Sequence, residues 1–124
     1  MDNGGSKNII IPKWFGAFYD SLSEHKMFSQ KNSAIVESSG KSREYISRLF
    51  KKATGNTFCS FLNKKRIEYA ANMLTSTNQD IIDIAYDSGF DNLSTFYHLF
   101  KKEKGCSPKK YRDLNSKESY KYEK

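Results

Sequence analysis

The sequence predicts an all-α fold, two helix-turn-helix lobes joined by a long central helix. Three observations predict it. One half of the chain repeats the other: residues 40–58 read G-K-S-R-E-Y-I-S-R-L-F-K-K-A-T-G-N-T-F, and residues 89–108 read G-F-D-N-L-S-T-F-Y-H-L-F-K-K-E-K-G-C-S-P. Leu49-Phe50-Lys51-Lys52 returns 50 residues on as Leu99-Phe100-Lys101-Lys102, and Gly55 returns as Gly105. Gly40 returns 49 residues on as Gly89, so the second turn holds one extra residue. A unit of this size used twice is one supersecondary element duplicated. In both copies the apolar residues fall at helical spacing, and between the copies Phe58 to Leu74 contains no Gly or Pro.

The elements follow in order. Pro12 suits the first turn of a helix, and Trp14, Phe15, Phe18, Tyr19 and Leu22 follow on one apolar face, with Gly16 weakening the helix a little. A short helix is expected over 31–38 with Ile35 and Val36 inward, stopped by Gly40, because glycine tolerates the positive φ of a tight helix stop. Ser42 is placed to cap the next helix, roughly 43–54. There Ile46, Leu49, Phe50 and Ala53 form the expected buried stripe, leaving Arg43, Glu44, Ser47, Arg48, Lys51 and Lys52 outward.

The connector over 58–74, at 1.5 Å per residue, is roughly 26 Å long. With the packed elements at its ends it would set two outward helices near 34 Å apart, one turn of B-DNA. Arg66, in line with Leu62 and Ala70, is expected to be partly buried and ion-paired. Thr75-Ser76-Thr77-Asn78-Gln79 reads as a polar break, after which Asp80 is expected to cap a short helix that Gly89 ends. In the second copy Phe96, Leu99 and Phe100 make the stripe, with Ser94, Thr95, Tyr97, His98, Lys101 and Lys102 outward. The last helix starts at Pro108, with Tyr111 anchoring it. The expected division is a tail or linker over 1–11, a first lobe over 12–56, the connecting helix over 57–75, a second lobe over 76–115 and a frayed tail over 116–124.

Composition bounds the function. At 124 residues, 37% hydrophobic and 15% aromatic, the chain is long and apolar enough for a compact core. Of its net charge of +7, residues 1–40 contribute nothing, since four Lys cancel four acidic residues there. The excess belongs to the repeated half, which points to a polyanion. Cys59 and Cys106 lack C-x-x-C spacing and argue for a reducing compartment. With no apolar run near ~18 residues and no signal peptide, the expectation is a cytoplasmic protein with no membrane contact. His25 and His98 have no Ser, Cys or carboxylate at a catalytic spacing, and neither a phosphate loop nor a metal-ligand cluster is visible. An enzyme is therefore not expected, nor a cofactor or metal.

A helix, a tight glycine turn and a second helix with a basic polar face is the plan of a homeodomain-like helix-turn-helix, whose second helix enters the major groove. Double-stranded DNA is thus the expected partner. The alternative is a basic protein-interaction module docking an acidic partner. Single-stranded RNA is disfavoured because the aromatics fall on buried stripes, Tyr97 excepted.

Ile84-Ala85-Tyr86-Asp87-Ser88-Gly89-Phe90, Phe96, Phe100-Lys101-Lys102, Gly105 and Ser107-Pro108-Lys109-Lys110-Tyr111-Arg112 resemble the signature of AraC/XylS-type transcription regulators. Ser42 to Lys52 resembles their first helix-turn-helix. The resemblance runs over about 32–112 and implies a two-lobed helical fold that binds a promoter and recruits RNA polymerase, often as an activator. It implies Arg43, Glu44, Ser47 and Arg48 as groove-facing positions in the first lobe, and Leu93, Ser94, Thr95, Tyr97 and His98 in the second. Among them Arg48 is the expected base reader, since a guanidinium bonds G at O6 and N7 together, and Glu44 either accepts from cytosine N4 or repels phosphate and sharpens selectivity. Lys51, Lys52, Lys101 and Lys102 then suit phosphates, with Ser42 beside them. His98 departs from the pattern, in which arginine often stands there, and it reaches less far. Ile11-Pro12-Lys13-Trp14-Phe15 resembles the join that follows a cupin sensor in chitobiose-regulator-like members. The expectation is therefore a fragment of a longer regulator, without its effector-binding and dimerisation domain.

Overall fold

The computed structural model describes residues 10–115, which hold eight helices and no strand. In chain order these are α1 (Lys13–Ser21), α2 (His25–Phe28), α3 (Asn32–Ser39), α4 (Arg43–Thr54), α5 (Phe58–Ser76), α6 (Ile81–Ser88), α7 (Leu93–Lys104) and α8 (Pro108–Asn115). They form two compact units, with the break after Leu62, so α5 contributes to both. The expected tails over 1–9 and 116–124 lie outside the described residues; Ile10 and Ile11 are exposed.

In the first unit the Phe50 ring is the hub. Its centroid lies 5.2 Å from those of Phe15, Phe58 and Phe61, and 6.1 Å from Tyr19. Leu22, Ile35, Ile46, Leu49 and Leu62 of this unit are also fully buried. Burying one such side chain stabilises the fold by about 1.5–3 kcal/mol, and the ring contacts of Phe50 tie α1, α4 and the start of α5 together. The stripe of α4 stops at Phe50, because Ala53 is exposed: the chain leaves the helix at Gly55 and nothing covers that turn. Pro12 occupies the N-cap position of α1 rather than its first turn, with extended backbone (ψ 157°). The four-residue α2 was not expected from the sequence. His25 opens it, half-buried, with its ring edge-on to Phe28 at 5.4 Å.

In the second unit Ile67, Ala70, Ala71 and Leu74 of α5 pack with Ile84, Ala85, Phe90, Phe96 and Phe100. Phe100 stacks edge-on against Tyr111 of α8 at 5.3 Å, as Phe50 packs on Phe61 in the first unit. The polar break begins two residues later than expected, since Thr75 and Ser76 remain helical; both hydroxyls bond back to the Asn72 carbonyl, at 3.1 and 2.8 Å. Arg66 is buried and donates to Asn63 Oδ1 at 3.2 Å.

Candidate nucleic-acid interface

The first helix-turn-helix is α3, a turn and α4. Gly40 takes the left-handed conformation (φ 72°) that ends α3, where a side chain would crowd the backbone. Ser39 locks the turn, its Oγ donating to the Val36 carbonyl at 2.6 Å and accepting the Lys41 N–H at 3.0 Å. Ser42 then caps α4, its Oγ accepting from the Tyr45 N–H at 3.1 Å. That bond uses the oxygen as acceptor and leaves the hydroxyl hydrogen available to a phosphate.

The second helix-turn-helix is α6, a turn and α7. Gly89 (φ 116°) ends α6, and the Phe90 N–H closes the turn on the Ala85 carbonyl at 3.2 Å. Ser88, fully buried, donates to the same carbonyl at 2.8 Å. The extra residue of the second turn is Phe90, whose ring is buried edge-on against Phe96 at 5.4 Å. The insertion thus adds an aromatic to the core and leaves the helix pair intact. Asn92 caps α7, its Oδ1 accepting from the Thr95 N–H at 2.9 Å. This cap went unread in the sequence, although Asn before an apolar stripe was its signal. Asp80 stands at the N-cap of α6 but makes no side-chain cap bond, contrary to expectation.

Each outward face is open. Arg43, Glu44, Ser47, Arg48, Lys51 and Lys52 are all exposed along α4. Ser94, Thr95, Tyr97, His98, Lys101 and Lys102 are exposed along α7, Tyr97 to 40%. Leu93 does not belong with them: it is half-buried and packed against the core of the second unit, so its apolar side chain turns inward. The faces differ in charge. On α4, Arg43, Arg48, Lys51 and Lys52 stand against Glu44 alone. On α7, Lys101 and Lys102 are offset by Glu103, and Lys104 is tied to Glu68 at 2.9 Å.

Two further polar groups hold the second unit in shape. Arg112 of α8 reaches back to the end of α5 and the loop after it: Nε donates to the Leu74 carbonyl at 2.9 Å, and Nη2 to those of Thr77 and Gln79 at 3.3 and 2.7 Å. Tyr69 of α5 donates to Asp87 Oδ2 of α6 at 2.6 Å. That hydrogen bond, aided by burial and the Asp87 charge, pushes the phenol up to about 12. Among the described residues no cluster of His, Cys, Asp or Glu could hold a metal ion, and no helix is long and apolar enough to cross a membrane.

The comparisons agree with this geometry. A family profile described as "Helix-turn-helix domain" matches residues 35–114. The chain is 35% identical over 83 residues to the probable transcription factor PqrA of Proteus vulgaris, covering 67% of this chain and 68% of that protein. It belongs to the AraC/XylS family of helix-turn-helix regulators. The members of this family are DNA-binding transcription regulators. The Xylose operon regulatory protein of Escherichia coli K12 is 32% identical over 95 residues, 77% of this chain, which spans only 24% of that relative. Among solved structures, the C-terminal domain of AraT, a response regulator from Geobacillus stearothermophilus, superposes with TM-score 0.74 at 32% identity. It covers 87% of this chain and 90% of that one. Arg112, which lies in the segment that resembles the family signature, fastens α8 to the loop ahead of the second motif.

Proposed function

We propose that the chain binds promoter duplex DNA sequence-specifically, with α4 and α7 entering successive major grooves. The single observation that carries the reading is that both helices are capped alike at the first turn and present an open polar face. Arg48 and Arg43 read bases from α4, with Glu44 and Ser47 beside them. Ser94, Thr95, Tyr97 and His98 act from α7, where short hydroxyls and an aromatic suit thymine methyls better than guanine edges. Lys51, Lys52, Lys101, Lys102 and the Ser42 hydroxyl meet phosphates and fix register. Bending of the duplex follows if the two grooves are not naturally aligned.

On this reading the protein works in the cytoplasm, recruits RNA polymerase at the promoter and performs no catalysis. The test is selection from a random duplex library at physiological salt, followed by sequencing. Two short motifs about one helical turn apart support both faces as readers. One motif alone restricts base reading to one face. No enrichment, together with no competition by unrelated duplex, favours an acidic protein partner instead.

A further inference from the structure

Lys41 belongs to neither face described above, yet its position is more constrained than that of the lysines along the helices. Its backbone N–H is held by Ser39 Oγ at 3.0 Å, and Gly40 before it fixes the turn. Its ammonium lies 5.1 Å from the centroid of the Trp14 ring. Trp14 is itself wedged among Phe15 at 6.0 Å, Phe18 at 6.1 Å and Tyr45 at 6.1 Å. Because Tyr45 is in the first turn of α4, the indole stands beside the start of that helix and holds the cation there. An indole face attracts an ammonium through its quadrupole without neutralising it.

We propose that Lys41 is a phosphate-binding residue of the first unit, preorganised by Trp14. The inference rests on the reading that α4 lies in a major groove. A helix in that groove is bordered by the sugar–phosphate backbone, and a cation flanking its first turn, off the base-reading side, faces that border. A lysine on a flexible stem loses side-chain freedom when it grips a phosphate; one already resting on a ring loses less. The fold does not need a cation there. Counting back from the caps Ser42 and Asn92, the second unit has Asp91 at the matching place, and its turn closes as well. The first unit therefore carries a phosphate grip that the second one replaces with a repelling charge, and it anchors the complex.

The experiment is duplex binding across a salt series for the wild-type chain, Lys41→Met and Lys41→Arg, with helix content checked by circular dichroism. Lys41 is exposed, so both variants are expected to fold. Lys41→Met is expected to lower the slope of log affinity against log salt by about 0.9, and to weaken cognate and random duplexes alike by about fivefold at 0.15 M salt. Lys41→Arg keeps the slope. A Lys41→Met chain with lowered melting temperature but unchanged slope would make the Trp14 contact merely structural and overturn the assignment, while the DNA reading stands. A wild-type chain that binds no duplex at any salt overturns both.

Discussion

Ser42 and Asn92, 50 residues apart, do the same work with different chemistry. A hydroxyl oxygen accepts the Tyr45 N–H at 3.1 Å in one motif, and an amide oxygen accepts the Thr95 N–H at 2.9 Å in the other. Each satisfies one of the backbone donors that a helix start leaves unpaired. The duplication has thus kept the function of the position, a short side chain with an acceptor oxygen, and not its identity.

Removing either cap is expected to destabilise the chain by about 1 kcal/mol. Ser42→Ala and Asn92→Ala, measured by urea unfolding, should therefore both lower the midpoint. Asp80→Ala should move it less, because Asp80 makes no side-chain cap bond. Equal losses for all three would show that the two hydrogen bonds contribute nothing particular.

Glycine substitutions are expected to split by backbone conformation. Gly16 lies inside α1, exposed, and an added Cβ there meets nothing within 4 Å. Gly16→Ala should raise stability by about 0.5–1 kcal/mol. Gly55 also has open space, but its φ is +80°, so Gly55→Ala should lower stability by about 1–2 kcal/mol. Thermal unfolding of the two variants gives opposite signs if this is right.

How much of this was legible in the sequence depends on whether the information was local. Most of the buried stripes of α4 and α7, the glycine stops at Gly40 and Gly89 and the start of α8 were readable, because periodicity and left-handed caps are properties of a few neighbouring residues. Ser42 is read as a cap and Asn92 is not, although the 50-residue offset of Leu49-Phe50-Lys51-Lys52 already sets Asn92 opposite Ser42. The resemblance sets Leu93 outward, yet it packs on the core of the second unit; periodicity sets Ala53 inward, yet it is exposed. Periodicity gives a direction around a helix, whereas burial depends on what the fold lays over it. Arg112 and the Tyr69–Asp87 bond join residues 18 to 38 apart in the chain, and no local pattern announces such a pair.

Arg48→Ala and Lys101→Ala should weaken DNA binding in distinguishable ways. A base reader loses about 1–3 kcal/mol on the cognate site and relaxes selectivity at one base pair. A phosphate contact loses affinity on every duplex and lowers the salt slope by about one unit. Titration of both variants against cognate and random duplex separates the roles. Equal weakening of both duplexes by Arg48→Ala would remove it as a base reader.

Tyr69 should titrate late. Its phenol is held up at about 12 against an ordinary 10.0, because the proton is shared with the Asp87 carboxylate. A group whose folded value is raised keeps more protons folded than unfolded between those two values. The contribution of this bond is therefore complete below pH 10 and fades as pH rises towards 12. Absorbance titration of the tyrosines should lose its latest component in Tyr69→Phe, and the variant's stability should fall less than the wild type's over that interval.

Arg112 should matter more than a half-buried arginine on a terminal helix suggests. Its guanidinium satisfies a carbonyl at the end of α5 and two in the loop that leads into α6, a helix whose own N-cap side chain makes no bond. Hydrogen bonds from a charged donor stabilise by about 1.5–3 kcal/mol each, with wide variation. Arg112→Met keeps most of the apolar stem and removes the fork, so a loss of about 2–4 kcal/mol is expected. Arg112→Lys should recover little of it, because one ammonium cannot reproduce the planar geometry that meets several carbonyls at once. Hydrogen exchange gives the decisive readout. Amides of α6 should exchange faster in both variants, while those of α4, in the other unit, stay protected. Uniform acceleration across both units would mean that Arg112 supports the stability of the whole chain and not the placement of the second motif.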